Sequence, residues 1–395
     1  MLNMVDQKGG DVLRLKLYNV YLGVLCIALT LLLVFSRSSL ANISLFLYMQ
    51  KAIKYFFLIV PLIAGLFIKL TRRELIIFPL LFVLAFVGAR LTKDTAILQI
   101  VILVFGLRGI KVNSLVDLFL WSSIIGTILI LAGMGLGIFP QVQVLGTVMN
   151  IKTSFGFILP NTAGLLFLLI ILLLIIKTFY DYRYSYLMLP FLILLYLTGA
   201  RTSQGLVLIA MIMFLALKIS GIYTFIERHL VGIIMILFIS TVVFSIVTAV
   251  MFNDGVMQTL INKLNTAMSG RLKLGATIMD NYGLTMFGQH IPYSLVDNTK
   301  VTWMQTSYLW LDNAYLKIIF NFGCIWLIVY LLAFRQLAKK VRYSGRIIFI
   351  IPMVVIILLG ISESAVLYYW FNFICIAFVA DFSKSDQSIR SKEDY

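Results

Sequence analysis

Long apolar blocks alternate with short polar stretches along the whole chain. Many blocks approach the roughly 17–25 residues that carry a helix across a bilayer, and none shows the strict alternation of an outer-membrane barrel. Twelve spans are expected, near residues 17–35, 55–70, 75–89, 95–108, 115–138, 161–177, 185–200, 204–219, 230–252, 313–334, 346–361 and 364–380. The fourth, seventh and eighth are short, which is tolerable where a span lines a protein-walled cavity. The first block follows KGGDVLRLK with no small-residue cleavage site behind it, so it reads as an uncleaved span. The expected class is an all-α polytopic membrane protein, one membrane domain over residues 1–395 with about twelve transmembrane helices.

Composition agrees. Hydrophobic residues make up 62% of the chain and charged residues 12%, against about 25% charged in soluble domains. The mean hydropathy is +1.03. A soluble fold of this size could not hide so much apolar surface.

The formal net charge of +16 does not indicate nucleic acid, and no such partner is expected. Twelve spans put both termini on one side. With that side cytoplasmic, 20 of the 32 Lys and Arg fall inside and 12 outside, as the positive-inside rule requires. The strongest vote is RQLAKKVRYSGR, between the last two inner ends. The outer side then carries three sizeable loops, the longest at residues 253–312 between the ninth and tenth spans. A loop that long usually has structure and function of its own. In it Val256, Leu260, Leu264 and Met268 recur every four residues, which predicts an amphipathic helix on the membrane surface. The tail at 381–395, DFSKSDQSIRSKEDY, reads as disordered.

Several chemistries are missing from the sequence. It has no GxxxxGK[ST] phosphate loop, no Asp-x-Asp pair at a membrane edge, no HExxH and no G-x-S-x-G. Its histidines are His229 and His290. Cys26, Cys324 and Cys375 all lie in apolar runs and imply neither a disulfide framework nor a metal site. No metal and no cofactor are expected.

Four polar clusters remain, all on the expected outer side. In LTGARTSQGL, Arg201 ends the seventh span, and Thr202, Ser203 and Gln204 can hydrogen-bond an anion or a sugar hydroxyl. An ionised residue this near hydrocarbon is costly, and its planar fork suits a phosphate oxygen pair; snorkelling to lipid headgroups is the plainer account. In SGRLKLGATIMDNYGLTMFGQHIPY, Arg271 follows a Ser-Gly break and is placed to open a helix. Lys273 reads as a solvated charge, and His290 as either a loop residue or a catalytic one. In LDNAYLKIIFNFGCIW, Asn313, Lys317 and Asn321 share one face of the tenth span, with Asp312 at its mouth. The asparagines also fit inter-helix hydrogen bonding, whereas Lys317 needs an anion or water. In ISESAVLYYWFNF, Glu363 sits in a tight turn, as a plain turn residue, an arginine partner or a general base.

The order of TGARTSQG, SGRLKLG with a later MFGQH, and DNAYLKIIFNFGCIW resembles the Wzy-type O-antigen and capsular polysaccharide polymerases and their relatives, the O-antigen ligases. GFILPN, ahead of the sixth span, is similar to that superfamily's loop-to-helix entry. The resemblance covers roughly residues 140–380. It implies a GT-C-like fold in a bacterial plasma (inner) membrane, with metal-independent polymerisation of undecaprenyl-diphosphate-linked repeat units into O-antigen, capsule or exopolysaccharide on the outer face. It implies lipid-linked donor and acceptor as partners in the bilayer, with chain-length regulator and flippase proteins alongside. Arg201 and Arg271 match the family's diphosphate-binding arginines. Lys317 is assigned beside them, and Gln204 and Asn313 to polar substrate contacts. Ligases carry a histidine before the Asn-x-Tyr-Leu motif; Asp312 stands there, which favours a polymerase and makes Asp312 the first choice of base, with His290 and Glu363 as rivals. A lipid-linked oligosaccharide flippase and a ligase-like transferase are the alternatives. A membrane acyltransferase would need a better-placed histidine.

Overall fold

The computed structural model describes residues 2–145, 151–253, 258–268, 270–293 and 310–383. Its helices are α1 (Leu2–Arg37), α2 (Ser44–Phe67), α3 (Arg72–Thr92), α4 (Ala96–Gly106), α5 (Val112–Gly135), α6 (Pro160–Tyr180), α7 (Ser185–Thr198), α8 (Arg201–Ala216), α9 (Ser220–Asn253), α10 (Gln258–Ala267), α11 (Arg271–Asn281), α12 (Ala314–Lys317), α13 (Cys324–Ser344), α14 (Ile350–Leu359) and α15 (Ile374–Ala377). A hairpin of β1 (Gln143–Leu145) and β2 (Ile151–Thr153) lies in the second expected outer loop.

The protein is an all-α, membrane-embedded chain, but the expectation of twelve spans in a GT-C-like architecture is not met. Among the described residues, six helices are long and apolar enough to cross a membrane: Leu17–Arg37, Ser44–Phe67, Arg72–Thr92, Val112–Gly135, Pro160–Tyr180 and Ser220–Phe252. Ala96–Gly106, Arg201–Ala216 and Ile347–Leu359 are apolar but shorter. The expected tenth span breaks after Phe322. The expected twelfth is a 3-10 turn, Ser364–Leu367, followed by the four-residue α15. An apolar run signals burial, and here burial is within protein: every residue from Trp370 to Ala377 is buried. Asn372 replaces the missing helical bonds. Its amide donates to Val366 O at 2.6 Å and Tyr330 Oη at 3.0 Å, and its carbonyl accepts from Cys375 N.

The surface helix expected in the long loop corresponds to α10. Ile261 turns inward there and Leu260 is exposed; Val256 lies outside the described residues, as does the tail from 384 onward.

The chain divides into two compact units, one of residues up to Ile68 with Gly106–Val207, the other of Lys69–Phe105 with Leu208 onward. In the first, α6 is apolar on all sides and buried on all sides, with Phe167 to Ile175 at 0% exposure. It starts at a proline, whose missing N–H costs nothing in a first turn. α5 and α7 pack against it, and Lys177 on α6 pairs with Asp117 on α5 at 2.5 Å. Arg108 is buried, and its guanidinium closes the C-terminal end of α2 through Gly65 O and Ile68 O.

In the second unit α9 is the spine, with α11, α12, α13 and α14 packed on it. α3 opens with a capping box: Thr71 Oγ1 accepts from Glu74 N, and the Glu74 carboxylate accepts from Thr71 N. Between α12 and α13 the chain makes one π turn, Ile318–Phe322, closed by Gly323 N donating to Ile318 O at 2.7 Å. The segment after α11 is bound to this break. Gln289 N donates to Asn321 O, the Gln289 side chain to Phe320 O, and Cys324 N to Thr285 O. Two glycines with positive φ make the approach feasible. A Cβ on Gly288 would stand 2.4 Å from Asn321 O, and one on Gly323 2.4 Å from Met286 O.

Candidate functional site

Arg271 is the first residue of α11, as the Ser-Gly break predicts; Gly270 supplies the left-handed turn before it, with φ of 85°. Asp312 stands just ahead of α12, and Glu363 begins the turn after α14. These three meet. Arg271 Nε donates to Asp312 Oδ2 at 3.1 Å and Nη2 donates to Glu363 Oε1 at 2.7 Å. The side chains are only 14–21% exposed. Burial pushes both carboxyls above their ordinary range, against the opposing pull of Arg271, and Glu363 is raised further by Asp312. The Arg271 guanidinium, though burial opposes its charge, is lifted above its usual value by Glu363 and Asp312 together. Two of its five N–H groups are spent here, and the other three have no partner among the described residues.

A second group of charges adjoins Asp312. Lys317 closes α12 and is 2% exposed. Its ammonium donates to Tyr368 Oη at 2.9 Å and lies 3.8 Å from Asp94 Oδ2. It stands 5.3 Å from the ring centroids of Tyr293, Trp310 and Tyr368 alike. Asp94 is held by its place in the chain: its Oδ1 accepts from Ala96 N at the start of α4, and its N–H donates to Thr92 Oγ1. Three carboxylates, Asp94, Asp312 and Glu363, therefore face two cations, Arg271 and Lys317.

Asn313 is near this cluster in sequence but its amide is committed. It donates to Ser245 Oγ and Ile361 O, and its carbonyl caps α12 through Leu316 N. The face shared by Asn313, Lys317 and Asn321 is interrupted by the π turn, and Asn321 is 1% exposed with neither side-chain polar atom partnered among the described residues. His290 is exposed, with Nδ1 3.2 Å from Thr92 O, outside the Arg271 ion-pair network. Lys273 is exposed.

Arg201 and Gln204 belong to the first unit. Gly199 ends α7 with φ of 65°, and Thr198 Oγ1 accepts from Ala200 N. Position 200 is small because α6 passes there: a Cβ on Gly164 would stand 2.4 Å from Ala200 Cβ. Arg201 is exposed in the first turn of α8. Gln204 donates its amide to Leu195 O and Tyr196 O, the open carbonyls of α7. Its place in the motif is thus accounted for by capping.

Sequence reasoning misses Asp94, Tyr293, Trp310 and Tyr368. Asp94 has a local signal, the TKDT turn between two apolar blocks, and Tyr368 stands in the aromatic run LYYWF. Their convergence on Lys317 depends on tertiary packing. No family model, no curated protein and no solved structure matches this chain.

Proposed function

We propose that the chain is a metal-independent glycosyltransferase that polymerises undecaprenyl-diphosphate-linked repeat units into a surface polysaccharide, with Asp312, Glu363 and Arg271 at the reacting centre. One observation carries the reading: two buried carboxyls share one guanidinium, and both are pushed toward accepting a proton. The distribution of basic residues supports an orientation with both termini cytoplasmic and these groups on the outer side.

In this reading the acceptor sugar's hydroxyl gives its proton to Asp312, with Glu363 as the neighbouring carboxylate. The oxygen attacks the donor's anomeric carbon. The bond from that carbon to the diphosphate breaks, and the electron pair leaves with the lipid diphosphate. The N–H groups of Arg271 not used by the carboxylates meet the charge that grows there. Arg201 is assigned to diphosphate binding by the family resemblance alone. Lys317, enclosed by three rings, is not given that role.

A glycan gel tests the proposal. Deleting the gene should collapse long polymer to single repeat units on the lipid carrier, and Asp312→Asn should reproduce the deletion at normal protein level. Persistence of long chains in the deletion strain would overturn it. Accumulation of untransported units on the cytoplasmic face would instead identify a flippase.

A further inference from the structure

We propose that a slot between α4 and α13 holds the hydrocarbon chain of the lipid diphosphate, whose head lies at Arg271. The proposal deepens the polymerase reading and rests on it for the identity of the lipid. The slot lies within the second unit and encloses about 670 Å3, inside the roughly 300–1,000 Å3 range of small-ligand sites. Two apolar stripes wall it: Ile97, Val101 and Val104 on α4, and Trp326, Val329 and Ala333 on α13. Each stripe keeps to one helix face and rises by about 10 Å.

The direction of the slot follows from what joins its two walls. Asp94 caps the start of α4 through Ala96 N, and the π turn that follows Lys317 leads into α13. The Lys317 ammonium stands 3.8 Å from the Asp94 carboxylate, so both helices start at the charged cluster. Ile318 and Leu367, which also line the slot, are the chain neighbours of Lys317 and Tyr368. Lys317 closes the short α12, and Asp312 just ahead of that helix is bonded to Arg271.

The slot offers a polar ligand nothing. Tyr330 Oη accepts from the Asn372 amide at 3.0 Å and donates to Val366 O, and the indole nitrogen of Trp326 lies against Gly88 of α3. A sugar or headgroup placed there would lose its hydration with no bond in return. Val329 and Ala333 are half-buried, and Ile328 and Leu332 beside them on α13 are more than half exposed, so the slot opens sideways onto the surface that meets the bilayer. A phospholipid entering there would leave one of its two chains outside and bring a single phosphate. A polyprenyl diphosphate has one chain and a more highly charged head, which suits the Arg271 N–H groups left unused by the carboxylates.

The probe is undecaprenyl diphosphate carrying a diazirine on its chain close to the diphosphate. It is irradiated with the purified full chain in detergent, and the labelled residues are read by peptide mass spectrometry. Label should fall on the α4 and α13 stripes. Excess unlabelled undecaprenyl diphosphate should suppress it, and the same concentration of phosphatidylglycerol should not. Ala333→Phe fills the slot and should cut labelling roughly tenfold; in a polymerisation assay it should raise the apparent KM for the lipid donor with kcat unchanged. Label outside these helices overturns the proposal, as does suppression by phosphatidylglycerol equal to that by undecaprenyl diphosphate, or wild-type labelling of folded Ala333→Phe. Should Ala333→Phe fail to fold, Val329→Phe carries the test. If labelling is as stated while the wild-type chain makes no polymer, the polymerase reading falls and the slot stands.

Discussion

Replacing Arg271 with methionine removes the cation that, among the described residues, is bonded to both Asp312 and Glu363, and leaves two carboxyls in a site that is 14–21% exposed. Breaking a buried pair from one side costs about 3–5 kcal/mol, and the residual exposure places this site toward the lower end, about 3 kcal/mol. The loss should depend on pH in a definite direction. Burial already raises both carboxyls in the wild type, so above the ordinary carboxylate range the folded chain binds more protons than the unfolded one. The stability associated with those groups is complete below that range and is lost as pH rises through the raised folded values. Without Arg271 those values rise further and the window widens. The penalty for Arg271→Met should be small in acid and fully developed at neutral pH. Adding Glu363→Gln should recover part of it, since one buried charge then has no rival. Equilibrium unfolding in mixed micelles at several pH values measures this. An equal penalty at acid and neutral pH, or no recovery in the double variant, would refute the account of the cluster as two carboxyls competing for one guanidinium.

Other substitutions probe the supports of the site. Gly323→Ala puts a Cβ 2.4 Å from Met286 O at a φ of 99°, and should destabilise the chain by at least about 1–3 kcal/mol in the same unfolding assay. Gly164→Ala should cost about 1–3 kcal/mol by crowding Ala200, with Ala200→Gly restoring most of it; absence of rescue would place the crowding elsewhere. Arg201 is exposed, so Arg201→Ala should leave stability within about 0.5 kcal/mol and yet abolish long polymer on a glycan gel. Arg201→Lys should recover little, because an ammonium lacks the fork that grips two phosphate oxygens.

The parts of this molecule legible in its sequence are those set by local rules. The Ser-Gly break ahead of Arg271 gives the start of α11, and Gly199 gives the end of α7. The membrane character follows from hydropathy alone. Counting spans fails at 313–334 and 364–380, because hydropathy cannot tell lipid from protein as the apolar surroundings. At the first break the bond comes from Gln289, 31 residues away; at the second Asn372 acts within its own segment, six residues from Val366, by a side-chain bond that hydropathy does not register. Asp312 and Glu363 are visible as candidates, but their sharing of Arg271 is not, since the partners lie 41 and 92 residues away along the chain. Gln204 and Asn313 are read from sequence as substrate contacts, and both bond backbone here, since an amide beside a helix end is as useful to the backbone as to a sugar.

The stitching of the segment after α11 to the π turn has a mechanical consequence. Arg271 reaches the cluster from α11, and Lys317 and Asp312 flank α12; Gln289, Gly288 and Gly323 fasten these two stretches together close to the charges. α12 is fastened in turn to the stretch that leads to Glu363, by Ala314 N donating to Gly360 O, the Asn313 amide to Ile361 O and Tyr315 Oη to Ile357 O. Room for a bulky sugar is therefore expected from rotation of the Arg271 and Glu363 side chains, and not from the parting of either backbone seam.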